Sequence, residues 1–590
     1  MSTTVGFLST IAPSACPLHD RRSGAAPCRR LIRSRISCHS NGDAPQPPPS
    51  SLLMDRRDVL IALGGLTGGA AAAGKMALAA PVMRPDLSKC HDASSLVLGD
   101  CLKCCPPYTS GDIVDYTFPE TPLRVRRAAQ EVIKDSEYMD KYKEAVRRMK
   151  KLPDDHPWNF YQQAQIHCAY CNDAYDQVGF PCVPVQIHYG WLFLPWHRYY
   201  LHFYERILGK LINDDTFTLP FWNYDSPHGM TMPEIFTDAS SPLYDGNRNT
   251  SHYPPVIVDY AHSHDYTAGS GETGNGLVRA NQCVMQKTFK RSLQRAELFM
   301  GEPQRAGQKP CSGPGQLECI HNTIHNWVGM KEYPHTDMGD FATAARDCIF
   351  FSHHANIDRL WHIYQTMRGY KIEFNNPDWL DSTFIFYDEN EQIVRVKVRG
   401  CLTPDKLWYT YQEVPIPWID LDCGKSTETK EKTKTEPSLV RVEPFGPGPM
   451  ELSKTALRAR VPRPKKNRLK AEKEDEVEVL QIKDIVVDTE GPVRFDVYIA
   501  KPYGDQAGTD YGEFAGTFVR LPHTKKDYKC KGSLKLGITS LLEDIDADDS
   551  ENLVVTLLPQ IGKFTIGDVV IKLLPTDYRG TSLKRKISGD

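Results

Sequence analysis

Between about residues 120 and 370, apolar positions recur every three to four residues, which is the spacing of an amphipathic helix. The pattern is clearest in three segments: RVRRAAQEVIKDSEYMDKYKEAVRRMKKL, PWHRYYLHFYERILGKLI and IFFSHHANIDRLWHIYQTMR. We therefore predict a mainly α domain, with bounds of residues 80–424.

The pattern changes near residue 475, where apolar residues begin to alternate with polar ones. Val493, Phe495, Val497 and Ile499 alternate in this way, and NLVVTLLP and IGDVVIKLLP look similar. Alternation with a period of two, between Gly, Pro and Asp turns, indicates β-strands. We predict a C-terminal β-sandwich over residues 475–590.

Residues 425–474 lie between these two domains. The segment 425–438, KSTETKEKTKTEPS, is polar and lacks large apolar side chains, which favours a flexible linker open to proteolysis. A second charged stretch, at 463–476, is consistent either with the linker or with a solvated helix.

The N-terminal segment has the composition of a targeting sequence. Residues 1–50 contain six arginines and only two acids, which is typical of an organelle transit peptide, assigned to residues 1–53. Residues 54–79 carry Arg56-Arg57, an apolar run from Val59 and an Ala-Leu-Ala cleavage pattern before Ala80, which together indicate twin-arginine export. Two signals in series predict the chloroplast thylakoid lumen. The alternative is a disordered tail with a short buried helix.

Composition argues against two classes of protein. The chain has 590 residues, of which 40% are hydrophobic and 25% charged, and a formal net charge of −3. Without a net basic field, nucleic-acid binding is not expected. After the N-terminal run, no segment reaches the roughly 18 apolar residues that span a bilayer, so we expect no integral membrane segment in the mature chain.

Histidines form two groups along the helical domain. His321 and His325 are four residues apart on an apolar helix face, so both imidazoles can reach one ion. The adjacent pair His353-His354 lies in a second apolar helix, and only one of the two can point the same way as its neighbours. These residues can supply three imidazoles.

The second group lies upstream and contains His167, His188 and His197. His197 follows a proline at a helix start and points inward, whereas His188 is expected in the loop before that helix. The alternative for any single histidine is a hydrogen-bonded core residue. Two buried sets of three would need many separate hydrogen-bond partners if no metal were present.

The ligand type narrows the choice of metal. Imidazole suits zinc, copper, iron and nickel, but hydrolytic zinc and non-haem iron centres usually include a carboxylate. No acidic residue here occupies an HExxH-like position. All-histidine coordination of two ions favours copper, and therefore O₂ binding or O₂ chemistry.

Four cysteines, Cys90, Cys101, Cys104 and Cys105, cluster near the start of the predicted mature chain. Zinc binding is the alternative to disulfides, but no further Cys or His pair follows at zinc-finger spacing. The adjacent pair suits bridges that point in opposite directions, so disulfides are favoured.

Several motifs resemble those of plant polyphenol oxidases, the catechol oxidases and tyrosinases. The copper motifs of that family are similar to HCAYCNDAYDQ, GWLFLPWHRYYLHFYERIL, LPFWNYDSPHGM, HNTIHNWVG and IFFSHHANIDRLW. The family's later landmarks resemble DWL at 378–380, Tyr409-Thr410-Tyr411 and RFDV at 494–497. The resemblance runs from about residue 54 to the C-terminus and implies a four-helix-bundle dicopper core.

The resemblance also implies roles for individual residues. The first copper would be held by His167, His188 and His197, and the second by His321, His325 and His354. Cys171 matches the cysteine that forms a thioether with the equivalent of His188. Disulfides are implied between Cys90 and Cys105 and between Cys104 and Cys168, which leaves Cys101 over.

Three further residues match positions near the second copper. Phe341 lies where the family places an aromatic gate above that copper, and Glu318 with Asn322 resembles a pair that holds a proton-accepting water. The chain departs from the family pattern here, because Glu318 precedes His321 by three residues rather than four. Ile320 and Cys348 stand where proline is common, and a Cys319–Cys348 bridge is a further hypothesis.

The function implied is copper-dependent oxidation of o-diphenols to o-quinones with O₂, extending to o-hydroxylation of monophenols if the Glu318–Asn322 pair acts. The C-terminal domain would make the enzyme latent until a protease cleaves the linker. A specialised phenol oxidase of the aurone or lignan type, an O₂ carrier and a zinc-binding structural protein are the alternatives. The sequence names neither the physiological phenol nor the oligomeric state.

Overall fold

The computed structural model describes residues 80–95, 99–107, 112–262, 270–310, 313–423, 439–487, 491–522 and 531–580. The predicted targeting segments, 1–53 and 54–79, lie outside these residues, as does the polar segment 425–438. Within the described ranges, no helix is both long enough and apolar enough to cross a membrane.

Helices dominate the part of the chain before residue 424. The α-helices of the described residues are α1 Ala129–Val132, α2 Ser136–Lys151, α3 Phe160–Cys171, α4 Phe193–Ile212, α5 Gly274–Ser292, α6 Ala296–Met300, α7 Gln316–Val328, α8 Ile349–Met367, α9 Pro377–Leu380, α10 Lys470–Asp475 and α11 Thr539–Asp544.

Local sequence explains how the longer helices begin and which face they bury. The Asp135 carboxylate accepts from the N–H of Tyr138 at 3.1 Å and so caps α2. Tyr142, Val146 and Met149 then lie buried on one face of that helix, as their spacing predicts.

Helices α3, α4, α7 and α8 form the centre of the helical domain. Every residue of α7 is buried, as are most residues of α4 and α8. A helix that is buried on every face is packed on all sides within the core. The predicted mainly α domain with a helical core is confirmed.

A buried ion network fixes α4 against α8. Arg198 on α4 donates Nε to Asp358 on α8 at 2.5 Å. Glu205 on α4 accepts from both Arg124 and Arg126 at 2.8 Å. Buried charges are tolerated only when each is partnered, so this network fixes the mutual position of two helices that carry candidate ligands.

Strands dominate the C-terminal part. The strands of the described residues are β1 Ala93–Ser95, β2 Gly99–Leu102, β3 Val114–Asp115, β4 Arg124–Arg126, β5 Asp176–Gln177, β6 Phe180–Pro184, β7 Thr383–Tyr387, β8 Ile393–Lys397, β9 Tyr409–Tyr411, β10 Leu439–Arg441, β11 Met450–Leu452, β12 Leu457–Pro462, β13 Glu476–Val487, β14 Val493–Ala500, β15 Gln506–Gly508, β16 Glu513–Arg520, β17 Gly532–Gly537, β18 Asn552–Ile561, β19 Phe564–Ile566 and β20 Asp568–Pro575.

Two antiparallel sheets build the C-terminal domain. One has the order β11-β19-β13-β17, with β20 also paired to β13, and the other has the order β12-β18-β14-β16. Leu480, Phe495, Leu534 and Leu557 belong to the apolar cluster that the sheets share. The predicted C-terminal β domain is confirmed.

The structure differs from the predicted linker at residues 439–474. Strand β11 pairs with β19, and β12 pairs with β18, so this segment is already part of the C-terminal sheets. The signal was weak because arginines alternate with the buried Ala459 and Val461, which makes the segment look charged. Helix α10 has no buried residue and is the solvated helix of the second interpretation.

Strand β16 of the C-terminal domain packs against α7 of the helical domain. The Asn322 side-chain amide donates to the carbonyl of Val519 at 2.8 Å. Arg494 on β14 is buried and donates to the carbonyls of Tyr260 and His262 at 3.2 and 3.1 Å. These bonds satisfy polar groups that would be left without partners if the domains separated.

Three disulfides are present among the described residues. Cys90–Cys105 and Cys104–Cys168 are the two that the family resemblance implies. The third, Cys283–Cys423, ties α5 to the end of the helical domain. Its cysteines are 140 residues apart, so no local spacing could have indicated the pairing.

The hypothesis of a Cys319–Cys348 bridge is wrong, because both thiols are free and buried. They face different neighbours. The Cys319 sulfur lies 3.9 Å from the side-chain nitrogen of Gln316, and the Cys348 sulfur lies 3.9 Å from the carbonyl oxygen of Pro242.

Candidate metal centre

The central helices bring the histidines into two buried clusters. The first cluster contains His167 on α3, His188 in the loop before α4, and His197 on α4. The second contains His321 and His325 on α7 and His353 and His354 on α8. In each cluster, one nitrogen of every imidazole lies within 4.8 Å of the others.

The second cluster has the spacing of a metal site. Nε2 of His354 lies 3.1 Å from Nε2 of His321 and 3.3 Å from Nε2 of His325. Two nitrogens that each lie about 2.0 Å from a tetrahedral ion are about 3.3 Å apart. Both distances from His354 therefore match those expected for ligands of one ion.

His353 also lies in this cluster, although only one member of the pair was expected to point inward. Its ring centroid is 5.0 Å from those of His321 and His325. Neither ring nitrogen of His353 has a hydrogen-bond partner among the described residues.

The first cluster presents Nε2 atoms inward, because the opposite nitrogens are hydrogen-bonded. Nδ1 of His167 lies 3.1 Å from the carbonyl of Phe341, and Nδ1 of His197 lies 2.8 Å from the carbonyl of Phe193. A carbonyl only accepts, so Nδ1 carries the proton and Nε2 carries the lone pair. Nε2 of His167 and of His197 is buried without a hydrogen-bond partner among the described residues.

His321 and His325 follow the same rule in the second cluster. Nδ1 of His321 lies 2.9 Å from Oδ1 of Asn322, and Nδ1 of His325 lies 2.7 Å from the carbonyl of Met338. These oxygens fix ring orientation and leave Nε2 for a metal.

Burial keeps the imidazoles neutral. It lowers the pKa of His167 to about 3 and that of His325 to about 4. Burial is also the main cause of the lowered pKa values of His197, His321 and His354. A neutral imidazole is the form that binds a metal, so the clusters are ready to do so at neutral pH.

The two clusters face each other across the bundle. The rings of His197 and His354 stack with centroids 4.2 Å apart, and those of His188 and His321 lie 6.0 Å apart. Two ions held by these clusters would therefore be close neighbours, an arrangement in which one small molecule can contact both.

Phe341 lies against the first cluster in this structure. Its ring stacks on that of His188 with centroids 4.2 Å apart, and its carbonyl accepts from Nδ1 of His167. Cys171 is a free buried thiol whose sulfur lies 3.4 Å from the Phe341 carbonyl. Phe341 thus orients one candidate ligand, His167, and covers another, His188.

Glu318 and Asn322 do not bond to each other in this structure. Oε1 of Glu318 accepts from the backbone N–H of Tyr189 at 2.6 Å, and its second oxygen is buried without a hydrogen-bond partner among the described residues. Burial raises the pKa of Glu318 to about 8, so the carboxyl is protonated at neutral pH. The side-chain nitrogen of Asn322 is bonded to Val519 of the C-terminal domain.

Sequence reasoning missed two residues that shape the site. Gln186 accepts from the N–H of His188 at 3.0 Å and contacts its ring nitrogen. Leu521, just after β16, is fully buried in one apolar cluster with Phe341, Cys171 and Tyr189. The position of Gln186, two residues before a candidate ligand, was a usable signal, whereas nothing local marks Leu521.

Three domain families match along the chain. The common central domain of tyrosinase matches residues 157–367, the polyphenol oxidase middle domain matches residues 373–423, and the chloroplastic polyphenol oxidase C-terminal domain matches residues 448–573. With the two facing histidine clusters, these matches define a dicopper protein of the tyrosinase class.

Similarity over the whole chain identifies the family within this class. It is 43% identical to a chloroplastic polyphenol oxidase of Vitis vinifera over 96% of both chains. It is 42% identical to (+)-larreatricin hydroxylase of Larrea tridentata over 95% of this chain and 97% of that one. A solved latent aurone synthase (polyphenol oxidase) is 36% identical, with a TM-score of 0.77 over 84% of this chain and all of that one. The chain belongs to the plant polyphenol oxidase family, whose enzymes carry two copper ions.

Proposed function

We propose that the protein oxidises o-diphenols to o-quinones with O₂, using copper ions held by His167, His188 and His197 and by His321, His325 and His354. The observation that supports this most strongly is that two buried histidine clusters face each other with neutral imidazoles. His354 is preferred to His353 as the sixth ligand because its Nε2 lies within ligand spacing of both α7 histidines.

Copper, when bound, supplies the redox chemistry, taking two electrons from each diphenol and passing four to one O₂ that ends as two waters. The protein supplies orientation and exclusion of water. Phe341 and the walls of the bundle bury the site, and backbone carbonyls hold the imidazoles in one tautomer. Such preorganisation limits the rearrangement that accompanies a change of oxidation state.

Monophenol hydroxylation needs a group that accepts the phenol proton. In the closed structure the Glu318 carboxyl is protonated at neutral pH and the Asn322 amide is occupied by Val519. We infer that this pair acts only after the C-terminal domain moves away, when water can lower the pKa of Glu318 and the amide is free to hold a water.

Contacts between the C-terminal domain and the helical domain also support latency. Leu521 fills the apolar space beside Phe341, while Arg494 holds β14 to the loop that contains Tyr260. We infer that a phenol reaches the histidine clusters only when these residues move away. We propose that cleavage in the polar segment 425–438, or mild detergent, removes the block.

Cys171 and His188 are proposed to form a thioether, which would fix a ligand that lies in a loop rather than on a helix. Support comes from Phe341, which contacts both partners, with its carbonyl near the Cys171 sulfur and its ring on His188. In this structure the thiol is free.

Family membership does not identify the physiological phenol, because the similar proteins include general polyphenol oxidases, a (+)-larreatricin hydroxylase and an aureusidin synthase. A specialised phenol oxidase of either type is the second candidate. For location, we propose the chloroplast from the names of the relatives, and the thylakoid lumen from the twin-arginine segment 54–79.

Oxygen uptake by residues 80–590, loaded with copper and assayed before and after limited protease, tests the proposal. Uptake with a catechol is expected after cleavage, and uptake with tyramine would add monophenol hydroxylation. His325→Ala should bind one copper fewer and lose turnover, whereas His228→Ala, at an exposed histidine, should keep both. Retained turnover and copper content in His325→Ala would contradict the ligand assignment.

A further inference from the structure

Gln186 makes four hydrogen bonds from one buried side-chain amide. Its Oε1 accepts from the backbone N–H of Ile187 at 2.9 Å and of His188 at 3.0 Å, and lies 3.2 Å from Nδ1 of His188. Its Nε2 donates to the carbonyl of Cys171 at 2.7 Å. The side chain is 4% exposed, so water does not compete for these bonds.

The bonds to the backbone fix which end of the Gln186 amide is oxygen. Backbone N–H groups only donate and the Cys171 carbonyl only accepts, so the amide has one orientation that satisfies all of them. Nδ1 of His188 faces the oxygen end and must therefore carry the proton. That leaves Nε2 of His188 with the lone pair, as a metal ligand requires.

The same amide joins two parts of the chain that are otherwise connected through the β5–β6 hairpin. Cys171 is the last residue of α3, and its carbonyl is among those that a helix end leaves without an internal partner. Gln186 satisfies this carbonyl and at the same time holds the backbone of His188. The end of α3 and the ligand loop are thereby fixed in one register.

Register matters because the Cys171 sulfur can approach more than one imidazole. It lies 3.5 Å from Nδ1 of His167 and 3.4 Å from the carbonyl of Phe341, whose ring stacks on that of His188. Because His167 is already close to the sulfur, a bond to His188 instead requires that the loop carrying His188 is held in place.

We propose that Gln186 is the positioning residue for the Cys171–His188 thioether: it holds His188 as the Nδ1–H tautomer and keeps its loop against the end of α3. This inference rests on the proposed function, of which the thioether is part. Gln186 itself is not altered in the reaction.

The crosslink is an oxidation. The S–H bond of Cys171 and one ring C–H bond of His188 break, and one C–S bond forms. Two protons and two electrons leave the protein and pass to O₂, which gives one H₂O₂ for each crosslink. O₂ is already the oxidant of the proposed activity, so no further reagent is needed.

A single tryptic peptide reports the crosslink. No Lys or Arg lies between Lys151 and Arg198, so residues 152–198 contain both partners, together with Cys168 and Cys182. After reduction and alkylation, this peptide carries three alkyl groups without the thioether and two with it, and the crosslinked form has lost two hydrogen atoms.

The experiment loads copper-free chain with copper in air and follows the alkylation count over time. Wild type should move from three alkyl groups to two. Gln186→Leu should do so on the order of tenfold to a hundredfold more slowly, because misplacing reacting groups by about 1 Å has effects of that size. Gln163→Leu is the matched control, since Gln163 is also buried but, among the described residues, its amide donates only to the carbonyl of Pro157.

Gln186→Glu guards against a folding failure in Gln186→Leu. Its carboxylate can still accept from the backbone N–H groups but cannot donate to Cys171, so crosslinking should again be slowed. Circular dichroism and copper content establish that each variant is folded and loaded. A wild-type crosslinking rate in either folded Gln186 variant would overturn the role of Gln186.

One further outcome separates this inference from the dicopper assignment. If wild type binds two copper ions and oxidises catechol but keeps three alkylated cysteines, no thioether forms and the inference fails with it. The ligand assignment and the oxidase activity would stand in that case.

Discussion

Replacing Leu521 by alanine should raise the activity of the intact, uncleaved chain. Leu521 is fully buried beside Phe341 when the C-terminal domain is closed, and it would be exposed to solvent if the domain moved away. The substitution therefore weakens the closed state and leaves the open state almost unchanged.

The size of the effect follows from the packing. Leu-to-Ala substitutions in buried sites cost about 2–5 kcal/mol, and an interface that can partly collapse belongs near the low end, about 2–3 kcal/mol. Each 1.36 kcal/mol is a factor of ten, so the open fraction should rise roughly 30- to 150-fold. Activity of the fully cleaved enzyme sets the upper limit.

Oxygen uptake with a catechol, measured on uncleaved wild type and on Leu521→Ala at equal copper content, checks this prediction. Leu553→Ala is the control, because Leu553 is equally buried but lies in the core of the β-sandwich. It should lower the melting temperature of the domain without comparable activation. Equal latency in Leu521→Ala and wild type would refute the idea that this side chain closes the site.

Two further predictions concern stability. Cys423→Ser removes the disulfide to Cys283 and should lower the free energy of unfolding by about 2–4 kcal/mol, measured by denaturant titration. Cys401→Ser is the control: it changes a buried free thiol and should have a smaller effect. Asp245 has a pKa raised to about 7, mainly by burial and then by neighbouring carboxylates, so the folded chain keeps a proton that the unfolded chain releases near pH 4. Stability should therefore fall as pH rises from about 4 to 7. Asp245→Asn should remove up to about 4 kcal/mol of that fall, because the pKa rises from 3.8 to about 7 and each unit is about 1.36 kcal/mol. An unchanged pH dependence in thermal melts would contradict the assignment.

The sequence was informative wherever the signal was local. The i,i+4 spacing of His321 and His325 on an apolar face predicted a shared ion, and the structure places their Nε2 atoms within ligand distance of His354. Apolar periodicity likewise predicted the change from a helical domain to a β domain. Both signals depend only on the geometry of one element.

Features that depend on distant contacts could not be predicted. The carbonyls of Phe341 and Met338 orient His167 and His325 across the fold, and backbone groups leave no trace in composition. Leu521 acquires its role only when β16 docks on α7. Glu318 was expected to hold a water. It precedes His321 by three residues, and its carboxyl accepts instead from the backbone N–H of Tyr189.

The early strands were missed for a different reason. Strands β11 and β12 are short and lie among charged residues, so their apolar positions do not stand out from a linker. Pairing with β19 and β18 supplies the stability that the local sequence lacks. Because these strands belong to the C-terminal domain, only 425–438 remains of the predicted linker. This is the segment in which we propose the activating cleavage.

The most direct test of the central claim is to measure metal content and oxygen uptake on the same cleaved sample. We expect two copper ions per chain, one O₂ consumed for every two catechol molecules, and uptake that rises in proportion to the bound copper. Zinc in place of copper, or catechol oxidation that does not depend on the bound copper, would contradict it.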